Sequence, residues 1–153
     1  MKIVDLLPPG ALAADLAARH KDEALRELAS IAVEVNGRLK LDEIVRVLQE
    51  RERLGSTGIG DGVAIPHGKL RNLDQLLICF GRSRKGVDFD SMDGKPAYLF
   101  FLLIAPEDAA GVHLKTLARI SKLLKNPEVR RRLIEAEGSE ELYRIIADED
   151  DRI

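Results

Sequence analysis

The longest uninterrupted apolar run of the chain extends from Ala97 to Ala105 and ends at Pro106. It is far shorter than the roughly 20 residues that a helix needs to cross a bilayer, so it is not a membrane span. Its aromatic and branched side chains show no alternation with polar residues, which is typical of a strand buried on both faces of a sheet. We therefore predict a central strand over 98–104 in a fold that covers both faces of its sheet.

Amphipathic helices lie on both sides of this strand along the sequence. One helix places Leu25, Leu28 and Ala32 on a single stripe opposite charged residues. Asn126 and Pro127 are typical N-cap and first-turn residues of a later helix. The predicted helices cover about 21–35, 41–53, the segment from 112 onward with Leu114, Leu117, Ser121 and Leu124 on one face, 127–137 and the segment from 139 onward; the other predicted strands cover 63–65 and 76–80.

The order helix, helix, three strands, helices predicts an α/β (α+β) fold, a three-layer α/β/α sandwich with a mixed β-sheet flanked by helices. Its length of 153 residues fits a single domain over 1–153. The link 86–96 is rich in turn formers and predicts a hairpin-like excursion. Residues 10–16 fit either a strand or a loop, and the acidic end 148–151 is expected to fray.

Charge and cysteine content exclude several classes of function. The chain has 24 Lys plus Arg against 26 Asp plus Glu, a net charge of −2, so we expect no nucleic-acid partner and no direct membrane insertion. Asp5 interrupts the apolar stretch that a secretory signal would need, and we expect a cytoplasmic protein. The single cysteine, Cys79, has no intramolecular partner for a disulfide and lies in an apolar run, which indicates a core position.

A glycine-rich segment from Gly55 to Gly68 holds five glycines in fourteen residues. Glycine weakens helices and strands and is useful where backbone turns sharply or approaches another group closely. The segment is either an ordinary tight loop or a binding loop for an anion. No Gly-Lys-Ser or Gly-Lys-Thr triplet is present, and the cluster follows a helix and opens a strand, so nucleotide motifs are disfavoured. Ser56 lacks the serine-hydrolase elbow pattern.

Two of the three histidines are candidates for chemistry. His67 is predicted at the end of a strand, after the rigid Pro66 and before Gly68, which would leave open space beside the imidazole. His113 is predicted at the start of a helix with its ring toward the sheet, where open α/β sheets place their sites. Each could instead be an ordinary boundary histidine, and His20 is expected to be exposed.

A metal site would be the rival use of two histidines, but no His-Glu-x-x-His motif is present and one cysteine cannot complete a thiolate site. A neutral imidazole can instead accept a phosphoryl group if donors for its oxygens are nearby. The candidate donors are Arg51, whose planar fork suits phosphate, the hydroxyls of Ser56 and Thr57, and glycine amides such as those of Gly58 and Gly68.

The segment from Arg51 to Gly68, with Ile65-Pro66-His67-Gly68 at its end, resembles the signature of the fructose/mannitol-type (type 2) IIA domains of the phosphoenolpyruvate-dependent sugar phosphotransferase system. The later blocks 86–90 with 93–96, 101–106 and 113–118 resemble that family in order and spacing, so the resemblance covers nearly the whole chain. Within the family, the segments 55–60 and 140–146 are most similar to the nitrogen-related regulatory members.

The resemblance implies a three-layer α/β/α fold, His67 as phosphoryl acceptor, His113 as the histidine that orients or stabilises it, and Arg51 as the arginine that stabilises the phosphate. It implies a histidine phosphocarrier protein of the HPr type as donor, with no nucleotide, metal or other cofactor. Regulatory target proteins or a IIB component of a sugar permease would receive the output. A non-catalytic module that binds an anion or a protein remains the alternative from another class.

Overall fold

The computed structural model describes residues 2–153. After a short 3₁₀ turn at Ile3–Asp5, the chain forms five helices and six strands within the described residues. The helices are α1 (Lys21–Val35), α2 (Leu41–Arg53), α3 (Ala110–Leu124), α4 (Pro127–Glu135) and α5 (Ser139–Arg152). The strands are β1 (Leu12–Ala13), β2 (Gly58–Gly60), β3 (Val63–Ala64), β4 (His67–Leu70), β5 (Leu77–Val87) and β6 (Ala97–Pro106).

The sheet is mixed, as predicted. Its order is β1-β5-β6-β3-β2, and β4 also pairs with β6. β5 and β6 are antiparallel, joined by the link predicted to hold a hairpin, whereas β3 and β4 run parallel to β6 one after the other along the same edge. The backbone interruption at Ile65-Pro66 separates those two short strands.

Every residue of β6 except Tyr98 is buried, so both faces of the sheet are covered. α1 and α2 pack against each other and against β5 and β4, while α3 and α4 pack against β6. This arrangement confirms the three-layer sandwich, and Cys79 lies fully buried in its core, as predicted. Among residues 2–153, no helix combines the length and apolar character that a membrane span requires.

The strands before the central one differ from the prediction. The strand predicted over 76–80 extends to Val87, because Arg82 is buried within it and its guanidinium donates to the carbonyls of Leu133 and Ala136 at the end of α4. The segment 10–16 contains only the two-residue strand β1. The predicted strand 63–65 is the shorter β3, and His67 opens β4 rather than closing a strand.

Two expectations about the C-terminal half were wrong. Leu114 is 67% exposed, and the buried stripe of α3 runs instead through His113, Thr116, Ile120, Leu123 and Leu124. The acidic end does not fray: α5 continues to Arg152, and the fully buried carboxylate of Asp150 accepts a hydrogen bond from Nε of Arg119 at 2.7 Å. The Asn126 cap of α4 is confirmed, since its side chain accepts from the Glu128 amide.

Candidate functional site

Tight backbone turns place His67 against the central strand. Asp61 and Gly62 have positive φ angles of 56° and 76° and join β2 to β3, which matches a two-residue hairpin turn. The carbonyl of Pro66 then accepts a hydrogen bond from the Leu103 amide at 3.0 Å, and His67 pairs with Leu103 in the sheet. The backbone that carries the imidazole is therefore fixed by β6.

The imidazole of His67 is half-buried and held in one orientation. Its Nδ1 lies 2.8 Å from the carbonyl oxygen of Ile65. A carbonyl can only accept, so Nδ1 carries the hydrogen and the neutral ring keeps its lone pair on Nε2. Arg51 donates to that nitrogen from Nε at 3.3 Å. Burial, assisted by the charge of Arg51, lowers the pKa of His67, against the raising effect of the Ile65 hydrogen bond.

His113 lies in the first turn of α3 and is only 6% exposed. The centroid of its ring is 5.4 Å from that of His67, with the ring planes at 55°. Burial, followed by the nearby charges of His67 and Lys69, lowers the pKa of His113. Its Nδ1 is buried without a hydrogen-bond partner. The structure thus brings together the two histidines and the arginine that the sequence singled out, while His20 is exposed, as expected.

Both histidines and Arg51 line an open cleft of about 1070 Å³ between α2, β4 and the start of α3. Its wall includes basic Arg46, Lys69 and Arg71 and acidic Glu43, Glu50 and Glu107. Leu54 and Leu114, which are 84% and 67% exposed, also line the cleft. Exposed leucines around a polar centre are typical of a surface that meets another protein.

The structure does not bring Ser56, Thr57 or Gly58 to this cleft, whose described lining omits all three. The Ser56 hydroxyl donates to the Phe89 carbonyl at 3.1 Å and accepts from the Gly58 amide at 3.1 Å. Thr57 is buried, and its amide and hydroxyl both donate to the Glu52 carboxylate. These polar groups are therefore committed to holding the loop together.

Gly68 lines the cleft, but its lack of a side chain serves packing. A Cβ placed there would lie 2.4 Å from a methyl carbon of Val47 on α2. The space beside the imidazole that the sequence predicted to be open is thus filled by α2. Glycine at this position lets β4 approach the helix that carries Arg51.

Sequence reasoning missed Glu52 and Lys21. Glu52 follows Arg51 directly, and its side chain forms an ion pair with Lys21 at 2.9 Å. The only sequence signal for Glu52 was its place inside the segment that resembles the family signature; Lys21, remote in the sequence, gave none.

Residues 2–153 contain no group of three or more His, Cys, Asp or Glu side chains arranged to hold a metal ion. Two imidazoles alone do not make the ligand set of a typical zinc site. A metal site, the rival use of the two histidines, therefore has no ligand cluster among the described residues.

Comparison with known proteins decides the family. Residues 5–149 match the model of the family described as phosphoenolpyruvate-dependent sugar phosphotransferase system, EIIA 2. The chain belongs to this family. This EIIA chain is therefore a component of a phosphotransferase system, and the resemblance seen in the sequence is confirmed.

Two kinds of protein are similar to this EIIA chain in sequence, a nitrogen regulatory protein and a sugar-specific component. The nitrogen regulatory protein of Bradyrhizobium diazoefficiens is 43% identical over 147 residues, which cover 96% of this chain and 95% of the relative. The fructose-specific EIIABC component of Bacillus subtilis is 38% identical over 153 residues, which cover 98% of this chain but 24% of that relative. The crystal structure of the nitrogen regulatory protein IIA-Ntr from Neisseria meningitidis superimposes with a TM-score of 0.87 at 34% identity, covering 94% of this chain and 98% of that one.

Proposed function

We propose that this EIIA domain is a phosphoryl carrier that accepts a phosphoryl group on Nε2 of His67 from a histidine phosphocarrier protein of the HPr type. The orientation of the His67 ring carries the proposal. Nδ1 is occupied by the Ile65 carbonyl, and Nε2 is the nitrogen that meets Arg51 in the cleft. The lowered pKa keeps the ring neutral near physiological pH, and a neutral imidazole nitrogen is a good nucleophile.

The proposed transfer is an in-line displacement between two imidazoles. The lone pair of His67 Nε2 attacks phosphorus, the N–P bond of the donor imidazole breaks, and its electron pair returns to the donor nitrogen. No proton leaves His67, because its ring hydrogen stays on Nδ1. The hydrogen bond from Nδ1 to the Ile65 carbonyl strengthens as positive charge develops on the ring.

Arg51 and His113 supply the donors for the phosphoryl oxygens in this proposal. The guanidinium of Arg51 already lies against Nε2, and its planar fork can bond two oxygens at once. The ring of His113 lies 5.4 Å from that of His67, close enough for a ring N–H of His113 to donate to a phosphoryl group on His67. The chemistry needs no nucleotide, metal or other cofactor.

The proposed donor is a protein, and the open cleft with exposed Leu54 and Leu114 at its edge suits a protein surface better than a free small molecule. We expect the exchange to take place in the cytoplasm. Regulatory target proteins would then read the phosphorylation state. The nitrogen regulatory relative supports this output, because the alignment spans 95% of its length.

A second candidate output is transfer to a sugar-specific IIB component. The 38% identity to a fructose-specific EIIABC component supports this second output. Incubating the phosphorylated domain with a fructose-type IIB chain distinguishes the outputs: the regulatory proposal expects the label to stay on the EIIA domain, whereas rapid transfer to IIB would support the sugar route.

The test of carrier function is labelling with phosphoenolpyruvate, enzyme I and an HPr-type carrier. The wild-type domain should take up an acid-labile phosphoryl group, and the His67→Ala variant should stay unlabelled. His20→Ala, which removes an exposed histidine outside the cleft, is the matched control and should label normally. Equal labelling of the His67→Ala variant would overturn the assignment, and a wild-type domain that takes no label would favour the non-catalytic binding module.

A further inference from the structure

A buried carboxylate lies directly beside the catalytic arginine and has no part in the transfer step. The Glu52 side chain is only 6% exposed. Its Oε1 accepts from the Thr57 amide at 3.0 Å and lies 2.9 Å from Nζ of Lys21, and its Oε2 accepts from the Thr57 hydroxyl. Removing a carboxylate from water costs free energy, and these hydrogen bonds and the ion pair offset that cost.

Lys21 ties this carboxylate to two further segments. Its Nζ lies 3.4 Å from Oγ of Ser56 and 4.9 Å from the centroid of the Phe89 ring. Ser56 in turn donates to the Phe89 carbonyl. The start of α1, the end of α2, the glycine loop and the link before β6 therefore meet at the Lys21–Glu52 pair.

Glu52 and Arg51 hold the same loop from two sides. Glu52 fixes the loop at Thr57, while Arg51 donates from Nη1 to the Gly55 carbonyl at 2.9 Å. Gly55 has a φ of 142°, a conformation that suits glycine and that the loop must maintain for its carbonyl to face Arg51. The guanidinium of Arg51 donates to both the Gly55 carbonyl and Nε2 of His67. The position of the loop therefore determines where the guanidinium lies relative to Nε2.

We propose that Glu52, supported by Lys21, is a positioning residue for phosphoryl transfer, which acts by fixing the loop that holds the guanidinium of Arg51 against His67. The inference rests on the proposed carrier function of His67. It assigns a task to a buried acid that touches neither the phosphoryl group nor the reacting nitrogen. Without the carboxylate, Thr57 loses its hydrogen-bond acceptor and the loop can shift. The Gly55 carbonyl then moves, and the guanidinium of Arg51 can move away from His67.

A merely structural role for Glu52 predicts a different set of results. It would change the stability of the fold but not the transfer rate of the folded protein, and loss of the Glu52 charge alone would lower the pKa of His67. The negative charge of Glu52 favours the imidazolium form and raises the pKa of His67, although less than burial lowers it. The charge of Arg51 lowers this pKa by more than Glu52 raises it, so displacement of Arg51 would raise the pKa of His67 and can be detected without any phosphoryl donor.

The experiment compares Glu52→Gln with Glu27→Gln. Glu27 is the matched control, because its carboxylate also accepts from two loop amides, those of Ala17 and Ala18, away from the cleft. We expect Glu52→Gln to slow single-turnover phosphorylation by an HPr-type donor roughly 10- to 100-fold, as small misplacements in active sites do, with the half-saturating donor concentration unchanged. NMR titration should show a higher His67 pKa than in the wild type, because release of Arg51 outweighs loss of the Glu52 charge, and Glu27→Gln should match the wild type in both measurements.

Thr57→Val and Thr57→Ser keep the inference testable if Glu52→Gln fails to fold. Thr57→Val removes only the hydroxyl donor to Glu52, and Thr57→Ser restores it, so the serine variant should be the faster of the two. A wild-type transfer rate in Glu52→Gln, a His67 pKa in that variant no higher than in the wild type, or equal rates in the two Thr57 variants would overturn the inference while leaving the carrier function intact. A wild-type domain that takes no label would overturn the carrier function itself.

Discussion

At the scale of single residues, the proposed chemistry depends on which ring nitrogen of His67 keeps its lone pair. The Ile65 carbonyl fixes the hydrogen on Nδ1, and Nε2, which accepts from Arg51, is the nitrogen that we propose as the phosphoryl acceptor. Burial together with the Arg51 charge lowers the pKa of the ring. Phosphoryl acceptance requires the neutral form, so its rate falls only when the pH drops below this lowered pKa.

The pH dependence of phosphorylation follows from the lowered pKa of His67. We expect the single-turnover rate to stay constant as the pH falls from 8 through the ordinary histidine value of about 6.5 and to decline only below it. Arg51→Gln should move the midpoint of that decline upward, because it removes a positive charge that disfavours the imidazolium. A wild-type midpoint above 6.5 would contradict the assignment of His67 as a buried neutral nucleophile.

The sequence predicted part of this site. His67, His113 and Arg51 could be named because residue type, turn chemistry and the family resemblance all point to them. Thr57 could not be placed correctly, since its partner Glu52 becomes visible only when the loop folds back on α2. The packing role of Gly68 could not be predicted either, because Val47 approaches it only where α2 packs against β4.

At the scale of elements, α3 matters because it carries His113, and the end of the chain anchors it. Asp150 on α5 is fully buried, and it bonds both Arg119 of α3 and the Val4 amide near the N-terminus. The sequence predicted a fraying tail here, because a run of acids is ordinarily solvated and its basic partner lies some thirty positions earlier in the chain.

Asp150→Asn tests this anchor. Breaking one side of a buried ion pair leaves Arg119 without its counter-charge, so we expect a loss of roughly 3 kcal/mol in the free energy of unfolding. Asp148→Asn, at an exposed position two residues away, is the control and should change stability by less than about 0.5 kcal/mol. Denaturant unfolding measures both. Equal stabilities of the two variants would mean that the Arg119–Asp150 pair does not hold α3.

The sequence predicted the elements with strong periodicity well and the short strands poorly. α1 and α2 have the predicted limits, because their apolar stripes and end signals agree. The second half of β5 was missed, because a buried Arg82 looks like a surface residue until its carbonyl partners on α4 are known. β2 contains two glycines and β4 contains a glycine and a lysine, and both owe their strand conformation to pairing with neighbours.

At the scale of the whole molecule, the site faces outward beside exposed apolar residues. Leu54 follows α2 and Leu114 lies on α3, so two different elements place leucines along the same cleft. An exposed leucine costs little in a monomer but contributes to binding when a partner covers it. The proposed protein donor would bury both.

Leu114→Asp tests this docking surface. We expect the half-saturating concentration of an HPr-type donor to rise roughly tenfold, the cost of about 1.4 kcal/mol of lost binding, with stability unchanged because the side chain is exposed. Met92→Asp is the control, since Met92 is 77% exposed and lies outside the described lining of the cleft. Identical kinetics for the two variants would place the donor on another surface.

The most direct measurement is NMR of the histidine ring nitrogens of the ¹⁵N-labelled protein before and after phosphorylation by enzyme I and an HPr-type carrier. The account predicts that the new nitrogen–phosphorus coupling appears at Nε2 of His67, while Nδ1 of the same ring keeps its hydrogen. A coupling at Nδ1 of His67 or on the ring of His113 would contradict it.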